Sequence, residues 1–414
     1  MEKRVMTDSK RRRGLMVASA VLGGVMVLAG CSGDGDSGKG DGGKSAQDQV
    51  DQAAAKEVSK ARIAIEPKNG SKNGSINNSK VSVVDGTLTE VKMVTSEGNP
   101  VEGKIAADGK SWTPAKPLKR STSYKVTATA KDDKGLTVHE NGSFTTVSPG
   151  NSFIGTFTPE DGQTVGVGMP VSINFNKPIK DRKAVQSGIT VTSTGGQEIV
   201  GHWFNSQRID FRPEQYWKEG STVTLKLALD GVEGAPGVTG VQQKTVTFKI
   251  GRNQVSTVDA KSKQMVIQRN GKTIRTIPIS AGAAATPTYN GQMVISEKFK
   301  ETRMNGATVG FGGEYDIPDV PHAMRLSTSG TFIHGNYWGS DSVFGGQNTS
   351  HGCVGLNDKK GANDPNQPGA WFFDNSLIGD VVIVKNSKDE TIKPDNGLNG
   401  WNMDWAAWKK GSEL

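Results

Sequence analysis

Cysteine, aromatic residues and long hydrophobic runs are all scarce in this chain. Cys31 and Cys353 are the only cysteines among 414 residues, which excludes a disulfide-rich scaffold and an antibody-type domain with a cysteine pair across each sandwich. Hydrophobic residues make up 34% and aromatic residues 6%, whereas glycine is abundant at 53 residues. Helical periodicity is nearly absent. This composition argues against one large α/β core and favours several small β domains with many turns.

Excess positive charge is also lacking once the N-terminus is set aside. The formal charge is +8, and residues 1–30 account for half of it, with six basic and two acidic side chains. The rest of the chain is only mildly basic and has no cluster of lysine and arginine interleaved with aromatic residues. These features argue against a nucleic-acid partner.

The N-terminus has the pattern of an export signal. Residues 1–13 are basic, and the apolar run 15–30 is too short for a membrane span. The run ends in Leu28-Ala29-Gly30-Cys31, which resembles a bacterial lipobox. We therefore expect a lipoprotein signal peptide at 1–30 and lipidation of Cys31. The lipid would anchor the protein to the outer face of the cytoplasmic membrane, in the cell envelope. An ordinary cleaved signal with an incidental cysteine is the alternative.

The following segments predict a tether and two similar β modules. The polar residues 31–58 should form a flexible tether, because they contain too little apolar surface for a core. Short alternating strands then fill residues 59–148 and 149–250, and Trp112-Thr113-Pro114 recurs as Phe211-Arg212-Pro213 at an offset of 99 residues. This period fits a duplicated immunoglobulin-like sandwich. The modules are interpreted as spacers, with glycan or peptidoglycan binding as the alternative.

Cys353 lies in the stretch TSHGCVGL, residues 349–356, and has no partner in the chain if Cys31 carries lipid. A thiol with a pKa of about 8.5 is mostly protonated at neutral pH, so a nucleophilic role requires a base. His334, at the end of a predicted strand, is the expected base, and His351 is given a supporting role. The Gly335 carbonyl or the Ser350 hydroxyl is expected to fix the tautomer of the base.

The glycines beside Cys353 suggest a site for an oxyanion. Gly352 can adopt a positive φ, and the amides of His351, Gly352 and Cys353 could then point at developing negative charge, with the Tyr315 hydroxyl as a further donor. A buried packing cysteine is the simpler alternative. A metal site using His322, His334, His351 and Cys353 is disfavoured because no ligand pair has zinc spacing, so neither a metal nor a cofactor is expected.

The paired motifs resemble a known family. His334-Gly335, a gap of fourteen residues and then Ser350-His351-Gly352-Cys353 resemble the signature of the L,D-transpeptidase (YkuD-type) catalytic domain. The whole chain is similar to the actinobacterial lipoprotein subgroup of that family. The resemblance implies a mainly β protein: two immunoglobulin-like sandwiches, a β-rich catalytic domain at 251–387 and a Trp-rich C-terminal subdomain at 388–414.

The resemblance also implies a reaction. The Cys353 thiolate would attack a tetrapeptide stem of peptidoglycan at its third residue and release D-Ala. A side-chain amine of a neighbouring stem would then resolve the thioester to give a 3→3 cross-link. Carbapenems would be expected to acylate the same thiol. An L,D-carboxypeptidase that uses water as acceptor, and a non-catalytic envelope-binding lipoprotein, are the alternatives.

Substrate contacts are assigned to five residues: Met304, Tyr315, Trp338, Thr349 and Asn357. Trp338 is expected to wall the pocket, with simple packing as its alternative. Many family members have Arg or Asn two residues after the cysteine, where this chain has Gly355, and Asn357 is expected to take over that role. In the C-terminal tail, the spacing of Trp401, Trp405 and Trp408 predicts one face of a short helix that packs on the domain beside it, with a glycan platform as the alternative.

Overall fold

The computed structural model describes residues 58–310 and 312–414. The predicted signal peptide, Cys31 and nearly all of the predicted tether lie outside the described residues. The described part is mainly β, as the composition and the resemblance predict. Within it, no helix is both long and apolar enough to cross a membrane.

The first module is a two-sheet sandwich. One sheet has the strand order β1-β2-β5-β4 and the other β3-β6-β7. Strand β6 alternates buried and exposed residues along its length, which is the pattern of a strand with one face in a core. The strands are β1 Arg62–Glu66, β2 Lys80–Val84, β3 Thr87–Thr95, β4 Gly103–Ile105, β5 Ser111–Pro114, β6 Ser123–Lys131 and β7 Thr137–Thr145.

The second module contains two four-stranded sheets and a small third sheet. Their orders are β13-β14-β11-β9, β10-β18-β15-β12 and β16-β17-β8. A 3-10 helix, Pro149–Asn151, precedes them. The elements are β8 Ser152–Phe153, β9 Gly155–Thr158, β10 Thr164–Val165, β11 Val171–Phe175, α1 Arg182–Ser187, β12 Ile189–Ser193, β13 Ile199–Trp203, β14 Arg208–Pro213, β15 Thr222–Ala228, β16 Glu233–Ala235, β17 Val238–Gly240 and β18 Gln243–Ile250.

The 99-residue repeat corresponds to equivalent strands. Trp112 in β5 pairs with Val81, and Phe211 in β14 pairs with Val171, in both cases in an antiparallel ladder within the module. Both aromatic side chains are buried. The repeated residues therefore fill the same place in each core, because a core of fixed shape needs a large side chain at that point.

The third module is built on one nine-stranded sheet with the order β22-β27-β19-β20-β21-β26-β25-β24-β23. Short 3-10 helices occupy Gly306–Val309 and Asp341–Val343. The other elements are β19 Gln254–Asp259, β20 Gln264–Arg269, β21 Lys272–Ser280, β22 Gly291–Val294, β23 Glu297–Asn305, β24 Asp316–Arg325, β25 Phe332–Asn336, β26 Val354–Asn357, α2 Pro368–Asp374 and β27 Val381–Lys385.

A tight Asn-Gly turn connects β20 and β21, as the sequence predicts. Arg269 pairs with Lys272 across the turn, and Asn270 and Gly271 have φ values of 49° and 75°. Two successive positive φ angles define the turn type whose twist matches a β-hairpin. The turn brings β21 back along β20, and the far end of β21 pairs with β26 next to the predicted nucleophile.

The C-terminal tail differs from the single helix that the tryptophan spacing predicts. Trp401 lies in a 3-10 helix, Gly400–Asn402, whereas Trp405 and Trp408 lie in a separate helix, α3 Trp405–Lys410. Asp404 separates the two helices and caps α3 by accepting a hydrogen bond from the Ala407 amide. The prediction of one continuous helical face is therefore wrong.

Candidate active site

Strands β25 and β26 bring the two halves of the predicted site together. They run parallel, with Ile333 paired to Val354 and His334 paired to Gly355. Ile333 and Val354 are buried in the core on one side of the sheet. Because side chains alternate along a strand, His334 and the residues flanking Val354 face the other side.

A cavity of about 180 Å³ lies on that side of the sheet. Eight of the residues predicted for the site line it: Met304, Tyr315, His334, Trp338, Thr349, Ser350, His351 and Cys353. Ser280, Ile317, Asn336 and Gly355 line it as well. Cys353 and His334 thus line the same cavity, although nineteen positions separate them in the sequence.

His334 is buried and held in one tautomer. Its Nδ1 donates a hydrogen bond to the Gly335 carbonyl at 2.8 Å, which is the first of the two partners considered from the sequence. Since a carbonyl only accepts, the proton is on Nδ1 and the neutral ring keeps Nε2 as an acceptor. The ring stacks on Trp338 at 5.7 Å. Burial lowers the pKa of His334, and the Gly335 hydrogen bond and the Asp358 charge act in the opposite direction.

The thiol of Cys353 is in a largely apolar place. Cys353 packs at the edge of a cluster that includes Val320, Ala323 and Phe332, and its Sγ lies 3.6 Å from the Gly330 carbonyl. Burial raises the pKa of the thiol to about 11, against a smaller opposing effect from a hydrogen bond with the Phe332 backbone. The thiol is therefore protonated at neutral pH and needs a base to become nucleophilic.

Ser350 fixes the nucleophile loop instead of orienting the base. Its hydroxyl donates to the Cys353 carbonyl at 2.5 Å and accepts the Gly352 amide at 3.2 Å. Gly352 has a φ of 108°, the positive value that its glycine predicts. The proposal that the Gly352 amide faces an oxyanion is therefore corrected, because that amide is bonded within the loop.

His351 connects the loop to the segment that covers the cavity. Its Nε2 lies 2.8 Å from Glu314 Oε2, and its ring centroid lies 5.1 Å from that of Tyr315. Glu314 and Tyr315 immediately precede β24. These contacts join the nucleophile loop to the covering segment, and the supporting role of His351 in the reaction stays a prediction.

Asn357 does not line the cavity, so its assigned substrate contact is corrected. Its Nδ2 donates to Asp341 Oδ1 at 3.0 Å, away from Cys353. Asn336 occupies the cavity wall instead. Its Oδ1 accepts the amides of Trp338 at 3.1 Å and Gly339 at 2.8 Å, which identifies the other amide atom as Nδ2.

The position of Asn336 in the sequence also indicates that its side chain belongs to the cavity, although no motif includes it. It lies two residues after His334 in the same strand, and residues at that spacing share a face. Its Nδ2 would lie 3.6 Å from a Cβ placed on Gly355. The Asn336 carboxamide therefore lies beside the space that a side chain at position 355 would occupy.

His322, considered above as a metal ligand, lies on the opposite side of the sheet. Its Nδ1 lies 2.7 Å from Asp358 Oδ2, and both side chains are buried. Within residues 58–310 and 312–414, no three His, Cys, Asp or Glu side chains are grouped so as to hold a metal ion.

A larger hollow, of about 530 Å³, lies in the first module. Its lining includes Glu97, Glu102, Lys116, Lys119 and Tyr124, and it contains neither cysteine nor histidine. The spacer and binding interpretations of this module stay predictions.

Comparison with known proteins gives matches to both kinds of module. A family model described as a bacterial Ig domain matches residues 42–233, and one described as the YkuD L,D-transpeptidase catalytic domain matches residues 253–384. L,D-transpeptidase 2 of Mycobacterium tuberculosis is 32% identical over 80% of this chain and 80% of its own length. L,D-transpeptidase 5 of the same species is 30% identical over 81% of this chain and 73% of its own length.

A solved structure of L,D-transpeptidase 3 from Mycobacterium tuberculosis, in complex with a faropenem-derived adduct, also matches. It is 24% identical, covers 58% of this chain and 100% of its own, and has a TM-score of 0.46.

Proposed function

The chain belongs to the L,D-transpeptidase family of acyltransferases, and we propose that it forms 3→3 cross-links between peptidoglycan stems through a thioester on Cys353. The observation that carries this proposal is the cavity shared by His334 and Cys353, with His334 fixed as the tautomer that can accept a proton. A thiol whose pKa is about 11 is a nucleophile at neutral pH only if such a base takes its proton.

The first half of the reaction is acylation of the enzyme. The proton of Cys353 Sγ passes to His334 Nε2, and the thiolate attacks the carbonyl carbon of the third residue of a tetrapeptide stem. The tetrahedral intermediate collapses, the bond to D-Ala breaks, and the leaving amine takes the proton from His334. The amide of Cys353 and the hydroxyl of Tyr315 are the donors proposed for the oxyanion.

The second half transfers the acyl group. The side-chain amine of a neighbouring stem attacks the thioester and gives a proton to His334. The thiolate leaves, takes back that proton, and regenerates the thiol. Dividing the exchange into two steps lowers the barrier of each. Met304 and Ile317 on the cavity wall provide apolar surface that limits water, the competing acceptor.

Substrate orientation is proposed to depend on Asn336. Its Oδ1 is held by two backbone amides, so its Nδ2 is a fixed donor on the cavity wall. A peptide carbonyl of the donor stem is the matching acceptor. Gly355 opposite leaves room for that carbonyl, because no side chain projects there.

Product analysis separates the candidate functions. Purified protein is incubated with a disaccharide-tetrapeptide, and the products are read by mass spectrometry. Cross-linked dimers are expected. Tripeptide alone would indicate an L,D-carboxypeptidase, and unchanged substrate would indicate a non-catalytic binder. Cys353→Ala is expected to abolish product, and surviving activity in this variant would contradict the assignment of the nucleophile.

Attachment to the membrane is proposed from the lipobox-like sequence at Cys31. The protein would then act in the cell envelope at the outer face of the cytoplasmic membrane, with peptidoglycan as its substrate. Metabolic labelling with a radioactive fatty acid tests this. Label is expected on the wild-type chain and not on Cys31→Ser, and label retained in the variant would contradict the proposal.

A further inference from the structure

A buried carboxylate lies directly behind the proposed base. The Asp358 side chain is fully buried, and its Oδ2 lies 2.7 Å from the Nδ1 of His322, which is also buried. Its Oδ1 accepts the Lys359 amide at 2.8 Å. None of these groups lines the cavity that contains Cys353. Charged groups are seldom buried without a structural or functional reason, because removal from water is costly.

The His322–Asp358 pair crosses β25 at Gly335. His322 belongs to β24 and Asp358 directly follows β26, and β25 lies between these two strands in the sheet. A Cβ on Gly335 would stand 2.3 Å from Asp358 Oδ2, closer than any real contact allows. Glycine is therefore required after the base, since any side chain there would displace the carboxylate.

Helix α2 covers the carboxylate from the other side. A Cβ on Gly369 of this helix would stand 2.2 Å from Asp358 Oδ2. The carboxylate is thus enclosed between two glycines, one on β25 and one on α2. His322 itself has a φ of 47°, in the left-handed region that costs backbone strain for residues other than glycine. The fold accepts this strain at the position where the His322 ring reaches Asp358.

The same Gly335 also holds the base, because its carbonyl accepts the hydrogen bond from His334 Nδ1. The Asp358 charge raises the pKa of His334, against the larger lowering effect of burial. Other charged groups near the pair are Lys300 and Asp374, which line a hollow beside His322. The ammonium groups of Lys359 and Lys360 are paired with Asp364 and Asp319.

We propose that the His322–Asp358 pair is a positioning unit for His334. It fixes Gly335, whose carbonyl sets the tautomer of the ring, and its carboxylate stabilises the imidazolium that forms when Cys353 gives up its proton. This role rests on the proposed function of His334 as the base. It adds two residues, 36 positions apart in the sequence, that touch neither substrate nor thiol.

Alkylation of the thiol tests the proposal without peptidoglycan. The full chain carries Cys31→Ser, so that Cys353 is its only cysteine, and the rate of reaction with iodoacetamide is followed by mass spectrometry at pH 7 and pH 10. Asp358→Asn is expected to slow alkylation severalfold at pH 7, because removing the carboxylate charge lowers the pKa of His334. The rate at pH 10 is expected to be unchanged, because hydroxide then removes the proton directly.

The matched control is Asp374→Asn, which removes an exposed carboxylate near His322 and is expected to leave both rates unchanged. If Asp358→Asn does not fold, His322→Gly provides the second variant, since glycine accepts the positive φ at that position. It should also slow alkylation at pH 7 alone, because Asp358 loses the hydrogen bond that holds its carboxylate against Gly335.

Two results would overturn the proposal. Equal rates for wild type and Asp358→Asn at pH 7 would show that the Asp358 charge does not affect proton transfer from Cys353 to His334. Equal slowing at both pH values would show only a change in access to the thiol. His334→Ala separates this from failure of the proposed function: if that variant reacts at pH 7 as fast as wild type, His334 is not the base at all.

Discussion

At the scale of single residues, burial acts in opposite directions on the two reacting groups. It raises the pKa of the Cys353 thiol to about 11 and lowers that of His334. Both changes favour the neutral forms, so the resting site holds a thiol and an imidazole and no ion pair. In the proposed mechanism, proton transfer therefore belongs to the chemical step, which is when the oxyanion donors and the Asp358 charge are needed.

This arrangement predicts the acid limit of the reaction. Because the pKa of His334 is lowered from its ordinary value of 6.5, the ring stays unprotonated and able to act as a base below that pH. The rate of carbapenem adduct formation, followed by mass spectrometry from pH 4 to pH 8, is expected to halve only below pH 6.5. Cys353→Ala should give no adduct. A midpoint at or above pH 6.5 would contradict the lowered pKa.

The neighbouring positions 336 and 355 predict that a side-chain amide at either one can bind the donor stem. Asn336→Ala removes the Nδ2 donor from the cavity and is expected to raise the KM for the donor stem about tenfold, the loss of one hydrogen bond of about 1.4 kcal/mol. Adding Gly355→Asn to that variant should restore much of the loss, since a side chain there enters the same space. Steady-state kinetics measure both.

The control for this exchange is Asn336→Asp. It keeps the oxygen that accepts the amides of Trp338 and Gly339 but has no N–H to donate. It should raise KM even though the two backbone amides keep their acceptor. Normal KM in Asn336→Asp would assign Asn336 to loop structure alone.

At the scale of elements, the hairpin of β23 and β24 carries the segment that covers the cavity. Glu314 on this segment contacts His351 on the nucleophile loop; the Glu314 side chain is exposed and that of His351 is partly exposed. Exposed pairs of this kind contribute little to stability, typically under about 1 kcal/mol. Their effect is expected on substrate binding, because one partner lines the cavity.

Glu314→Gln is therefore expected to raise KM severalfold and to leave Tm unchanged, as read by kinetics and thermal denaturation. The matched control is Asp316→Asn, which breaks the exposed pair with Arg303 in the same hairpin, away from the cavity. Equal effects of the two variants on KM would mean that the contact between Glu314 and His351 does not position the covering segment.

Elements with local signals could be predicted from the sequence. Alternating apolar and polar residues predict strands such as β6 and β15, because one face of each strand is buried. Asn270-Gly271 predicts its turn, because these two residues accept the positive φ angles that the turn requires. The His334 and Cys353 motifs predict the centre of the site. The hydrogen-bond partner of Asn357 and the role of Ser350 could not be predicted, because both depend on the three-dimensional path of the loop between β25 and β26.

Contacts between distant elements have no such signal. The His322–Asp358 pair requires that β25 lie between β24 and β26, and this strand order is a property of the whole sheet. The tail is similar. The Arg212 guanidinium lies within 4.2–5.3 Å of the rings of Trp401, Trp405 and Trp408, and no spacing of tryptophans alone predicts that an arginine of the second module would contact all three.

At the scale of the whole molecule, the two junctions between modules differ in kind. The first and second modules meet through polar contacts, such as Ser75 with Asp230 and Asn77 with the Val241 carbonyl. The second and third share one hydrophobic cluster, to which Val294, Val381 and Trp401 contribute from beyond residue 250. Shared apolar burial couples unfolding of two units more strongly than a few polar contacts do.

The tail strengthens that second junction. Trp408 is fully buried, and its Nε1 donates to the Val200 carbonyl at 2.9 Å. Its ring stacks on His202 at 4.7 Å, so the end of the chain packs on β13 of the second module. Trp401 donates to the Gly168 carbonyl at 2.7 Å and belongs to the shared cluster. The tail thus fastens the second module to the catalytic module.

Trp408→Ala should consequently destabilise both modules together. Loss of a buried tryptophan typically removes about 3–5 kcal/mol, and each 1 kcal/mol lowers Tm by about 2–4 °C in a unit of 150–250 residues. Calorimetry and thermal inactivation of carbapenem acylation should shift downward in parallel. Trp405→Ala, on the same helix but half-buried, should shift both far less. If the calorimetric transition moved while the inactivation temperature stayed, the two modules would unfold independently and the shared cluster would not couple them.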